Sequence, residues 1–189
     1  MLLEFFFNAY IWGGLYISAA VMLLLKKERA SCLILLTGVI FHFYFLTYRA
    51  FLPGIFLSWG MVEGVFFTPF VMALILLVVF IINKQEGDSL SGILPLAVFS
   101  IFAMIYPKGV IPPTPNKITV WAYLFFITEN TGHALFYLGC WYAAVNYIKK
   151  NNSGSHYPFI VWGFVLFSIS QVVGAVWALL GWGTVFRWG

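Results

Sequence analysis

Two of the three histidines in this chain, His42 and His133, fall inside long apolar runs. An ionisable side chain inside a bilayer-length run costs about 2 to 3 kcal/mol when left without a partner, so each imidazole calls for a role. His42 stands about ten residues from the end of its run and His133 some eight to fourteen into its own. At 1.5 Å rise per residue both lie roughly 12 to 20 Å below one surface. Two imidazoles at one depth on different helices suit the axial positions of a haem b iron. A buried histidine bonded to a carbonyl or a hydroxyl satisfies the same pattern, and both readings stand. His156, in NNSGSHYP, reads as a solvated loop residue.

Other polar residues cluster near these two. Glu129 precedes His133 by four positions, hence on the same helix face, with Asn130 beside it. The carboxylate is placed either to hold the second imidazole nitrogen of a ligating histidine or to form a self-contained polar pair with it. Arg49 lies two turns beyond His42, where its guanidinium either grips a haem propionate in bidentate fashion or snorkels to lipid headgroups. Cys32 and Cys140 read as small packing residues, and no Cys-x-x-Cys-His is present for covalent haem attachment.

The elements that must carry these groups are membrane helices. The 189 residues are 62% hydrophobic and 8% charged, with a mean hydropathy of +0.96, too little polar surface to coat a soluble globule. Apolar segments near 4–25, 31–52, 66–83, 91–106, 119–148 and 158–181 predict a single all-α domain, a polytopic bundle of about six transmembrane helices. The opening segment has no basic residue before its apolar run and three after it, the reverse of a secretory signal, and is expected to stay as the first span. Lys26, Lys27, Arg29, Lys84, Lys149 and Lys150 fall in alternate connections, which the positive-inside rule places in the cytoplasm. Both termini then lie outside, together with Arg49, Lys108, Lys117 and Arg187.

The prolines of PKGVIPPTPNK and Pro53 mark outer loops, and Pro69 is expected just inside the third helix, where a missing donor matters least. Trp59, Trp121, Trp182 and Trp188 gather at the outer face, as an interfacial belt or as a ledge for a flat ligand. Small residues at Gly13, Gly14 and Ser18, and at Ser170, Gly174 and Ala178, predict close crossings by the first and last helices. The net charge of +4 is spread over several loops, so no nucleic-acid partner is expected. No nucleophile elbow, phosphate-binding glycine loop or zinc-type spacing is present, which argues against hydrolytic and nucleotide chemistry.

The run SQVVGAVWALLGWGTVFRWG, Ser170 to Gly189, resembles the tryptophan-rich signature of the cytochrome c assembly proteins, the CcsA, ResC and CcmC group of membrane haem handlers. Trp177, Trp182, Gly183 and Trp188 fall on that pattern, with Phe186 at a usual tryptophan position and Gly189 at a usual aspartate. The helix of His42 and Arg49, followed by LSWGMVEG, is similar to the family's histidine helix and its outer loop, which carries Ser58 and Glu63 onto matching positions. In the fifth helix the family's outer histidine corresponds to Thr128, with His133 displaced by more than a turn.

The resemblance implies an integral protein of a bacterial or archaeal inner membrane that handles haem at its outer face for c-type cytochrome biogenesis. Trp177, Trp182, Trp188, Arg49, Glu63 and Glu129 would join the two histidines around the cofactor. Family members continue beyond the tryptophan motif, so the expected partners are the lipid bilayer, other membrane subunits, one of them supplying the remaining half of the family fold, and a c-type or multihaem cytochrome. Two further readings stay open: a haem b-binding or anchoring subunit of a respiratory electron-transfer complex, and a structural subunit without cofactor.

Overall fold

A computed structural model describes residues 2–51, 63–82, 91–106, 109, 119–150 and 154–185, with side chains from Ala9 onward. It is all helical among the described residues: α1 Leu2–Leu24, α2 Glu28–Phe51, α3 Gly64–Ile82, α4 Ile93–Ile105, α5 Val120–Lys149 and α6 Tyr157–Trp182. The helices begin and end within about three residues of the expected apolar runs. Helices α2, α3 and α6 are long and apolar enough to cross a membrane, which makes this a membrane protein. Helix α4 has only 13 residues, about 20 Å of rise.

Chemistry local to each end explains the boundaries. The Thr119 hydroxyl accepts the Ala122 amide at 3.1 Å and caps α5. At the other end of α5, Lys150 turns left-handed at φ 53° and donates its amide to the carbonyls of Asn146 and Tyr147. Gly183 ends α6 in the same conformation at φ 74°, with no Cβ to resist it. Pro69 departs from expectation: α3 starts at Gly64, so the proline sits in the second turn. There it removes the bond that an amide would have donated to the Val65 carbonyl.

Helices α1 to α4 close a ring, α1 on α2, α2 on α3, α3 on α4 and α4 back on α1. Helix α5 leans on α3 and barely meets α4, and α6 packs on α5. The main core fills the ring with Trp12, Tyr16, Leu35, Phe45, Phe66, Met72, Leu76 and Leu96, all without exposed surface. Hydroxyls tie neighbours together across it: Ser31 donates to the Ala19 carbonyl at 2.8 Å, joining α2 to α1. In an apolar solvent such bonds and close packing replace the hydrophobic drive between helices.

The small residues act differently from the expectation in α1. Gly13 receives Met104 of α4, whose sulfur would lie 2.7 Å from a Cβ, whereas Gly14 has nothing within 4 Å and Ser18 is exposed. On α6, Ser170 is buried and Gly174 takes the Phe125 ring, as a tight crossing requires. A crossing of backbone on backbone lies elsewhere, between Gly132 of α5 and Gly163 of α6. A Cβ on Gly132 would stand 3.0 Å from the Phe167 amide nitrogen and 3.2 Å from the Gly163 carbonyl.

Candidate functional site

His42 lies at the centre of the α1–α4 ring with no exposed surface. Trp12 is stacked flat on the imidazole, centroids 3.7 Å apart and planes within 4°. The Tyr16 hydroxyl lies 3.2 Å from Nδ1, and Phe70 meets the ring edge-on at 5.4 Å. Nε2 has no hydrogen-bond partner among the described residues. This is a packed histidine tied to a hydroxyl, one of the two readings its position allowed. Tyr16→Phe would strip Nδ1 of that partner, and we expect it to cost about 1–3 kcal/mol of unfolding free energy in detergent micelles.

His133 belongs to a different environment. Half-way along α5, it lines a cavity of about 480 Å³ between α3, α4 and α5, formed where α5 leans away from α4. The volume falls within the roughly 300–1,000 Å³ of small-molecule and cofactor sites. Gly64, Val65 and Thr68 form one wall, Phe99, Phe102 and Tyr106 another, and Phe126, Glu129, Asn130, His133 and Tyr137 the third. Among these, Asn130 is fully engaged: it accepts from the Thr68 hydroxyl at 3.1 Å and donates to the Phe126 carbonyl at 2.8 Å. Glu129 and His133 face each other electrostatically but form no hydrogen bond to a described residue. Two rings stand beside His133, Phe167 at 5.4 Å and Tyr137 at 6.3 Å.

The two imidazoles therefore do not converge. Phe66 and Phe70 of α3 pack toward His42, whereas Gly64, Val65 and Thr68 look into the His133 cavity. At 100° per residue these two sets occupy opposite sides of α3, which stands between the histidines. A haem held by both is excluded by that intervening helix. The His133 cavity brings together one imidazole, a carboxylate a turn away on the same helix, and aromatic walls.

Arg49 and Glu63 do come together, with each other. Arg49 Nε donates to Glu63 Oε2 at 2.7 Å and Nη2 donates to Oε1, a bidentate pair with both side chains buried. The guanidinium lies 4.5 Å over the Phe66 ring and 5.7 Å from that of Phe45, and it reaches the Gly109 carbonyl at 3.4 Å. Each charge also suits its helix terminus, a cation in the last turn of α2 and an anion just before α3. The arginine thus neither snorkels nor waits for a propionate: it fastens three segments at one end of the bundle.

Trp177 and Trp182 meet edge to face, 5.2 Å apart at 70°, so they offer no flat ledge. Trp177 instead packs on Phe125 and Phe126 of α5, at 5.7 and 5.8 Å. Trp188 lies outside the described residues, as do Ser58 and Trp59. Cys32 and Cys140 are unpaired thiols, and among the described residues no group of histidine, cysteine and carboxylate side chains is arranged to hold a metal ion.

The residues that sequence reasoning missed are the aromatic walls, Phe99, Phe102, Tyr106 and Tyr137, and the Thr68–Asn130 bond that braces the cavity. Their only signal was an excess of aromatic residues at 21%, too diffuse to locate a site. No family model, curated protein or solved structure matches this chain.

Proposed function

We propose that this protein is a six-span membrane protein that holds a flat, largely apolar cofactor, haem, in the cavity between α3, α4 and α5. One observation carries this reading. Glu129 and His133 are ionisable, one turn apart, about 14 and 20 Å along α5, and have no hydrogen-bond partner among the described residues, while their polar neighbour Asn130 has two. Membrane helices keep such groups where a ligand, ion or proton path uses them.

In this reading His133 would hold the haem through its imidazole, Glu129 would orient that imidazole, and the aromatic walls would exclude water from the cofactor. The bound haem supplies a redox-active iron, and the protein supplies position and polarity. The lysine-bearing end faces the cytoplasm, both termini lie outside, and the membrane is the inner membrane of a bacterium or archaeon. The resemblance to cytochrome c assembly proteins favours transient holding for delivery to a c-type cytochrome. Helix α6 packs on α5 alone and leaves most of its apolar surface open, which favours a neighbouring membrane subunit, as a respiratory complex would also provide.

Titration of the detergent-purified protein with haem tests this. The expected result is a saturable Soret band that His133→Ala weakens by at least about tenfold and Glu129→Gln by about tenfold, while His42→Gln retains it. Loss of the band in His42→Gln with normal helical circular dichroism, or its persistence in His133→Ala, would overturn the assignment to the cavity.

A further inference from the structure

At the opposite end of the bundle the last turn of α5 and the start of α6 line a second, open cavity of about 580 Å³, with Asn146, Tyr147, Lys150, His156 and Tyr157 among its walls. Asn146 organises it. Its amide nitrogen lies 3.3 Å from His156 Nδ1 and 3.1 Å from the Ser155 hydroxyl, so Nδ1 accepts and the imidazole proton stands on Nε2, which has no hydrogen-bond partner among the described residues. Tyr157 stacks on that ring at 4.3 Å. The Lys150 ammonium makes no ion pair among the described residues, and no aspartate or glutamate occurs after Glu129 in the sequence. The remaining acids of this end are Glu28 at the start of α2, and Glu86 and Asp88 in the α3–α4 connection, outside the described residues. The cavity thus offers an ammonium, an imidazole N–H and two phenol hydroxyls, with no carboxylate in its lining.

A set rich in donors, at the end of a membrane helix hairpin and flanked by two tyrosines, matches a phosphate diester at headgroup depth. We infer that this cavity binds the phosphate of an anionic phospholipid headgroup, with Lys150 and His156 as its principal contacts. Asn146 is a positioning residue that sets the imidazole proton on the nitrogen not bonded to it. The inference is independent of the haem reading, since no residue is shared between the two cavities.

The test places the full chain in nanodiscs of phosphatidylcholine with and without phosphatidylglycerol and measures retained lipid by native mass spectrometry. Preferential retention of phosphatidylglycerol is expected, reduced about fivefold in Lys150→Gln and further in Lys150→Gln with His156→Gln. Circular dichroism and the intrinsic fluorescence melt identify a variant that has lost its fold. Asn146→Ala, which leaves the charge in place, should also weaken retention. Equal retention of the two lipids, or unchanged preference in a folded double variant, overturns the proposal. If inorganic phosphate displaces the lipid and raises the melting temperature of lipid-free protein in a Lys150-dependent manner, the occupant is a soluble phosphate and the lipid assignment fails.

Discussion

Glu63→Ala should cost about 3–5 kcal/mol, a large part of the roughly 5–15 kcal/mol that holds a typical domain folded. The reason is asymmetric. With the carboxylate gone, the guanidinium of Arg49 remains buried between Phe45 and Phe66, fully desolvated and opposite nothing of its own strength. Removing both charges is far milder: Arg49→Met with Glu63→Leu fills similar volume and leaves no orphaned charge, so it should recover most of the loss. Denaturant midpoints in mixed micelles for the two single variants and the double variant give the coupling directly. Should Glu63→Ala unfold at the wild-type midpoint, the pair is not the fastening described above. The expected damage is local first, since the pair joins the end of α2, the start of α3 and Gly109, and Gly64 at the start of α3 lines the His133 cavity.

Gly132 and Gly163 carry the second large effect. A methyl group on Gly132 meets backbone, the Phe167 nitrogen and the Gly163 oxygen, and neither can swing aside as a side chain would. Gly132→Ala should destabilise by about 1–3 kcal/mol, and Gly132→Leu should separate α6 from α5 altogether. Helix α6 has no other substantial neighbour, so its separation would show as accelerated amide exchange along residues 157–182. Gly14→Ala and Gly181→Ala are the matched controls. Both positions are helical with nothing within 4 Å of a Cβ, and alanine there should be neutral or stabilising by up to about 1 kcal/mol.

The helices were legible because a bilayer imposes a length on apolar runs, and that constraint is local in sequence. The rotation of each helix was not. In a soluble protein the buried face is the apolar one, but here lipid-facing residues such as Ile40, Phe41 and Phe43 are as apolar as the buried Leu35, Val39 and Phe45. Nothing in the pattern around His42 and His133 therefore reveals that α3 separates them. Arg49 and Glu63 were each recognisable as out of place in an apolar chain, yet they stand 14 positions apart, and a headgroup, a propionate and a carboxylate answer an arginine equally well. Glu129 and His133 were readable as a pair because four residues on one helix fix their relation with no tertiary knowledge. Their cavity was not, since its walls come from two other helices.

Helix α4 carries a consequence for the surrounding lipid. Its 13 residues rise about 20 Å, some 10 Å less than the hydrocarbon layer that the proposed topology asks it to cross. A bilayer meeting so short a rod must pinch inward or let solvent sink beside it. The indentation would form next to Tyr106, at the mouth of the space where Glu129 and His133 sit, and would put headgroups and water closer to two ionisable groups than their position along α5 implies. On that topology acyl-chain length should act as a dial on this protein, thin membranes relaxing it and thick ones pressing oil against its polar groups.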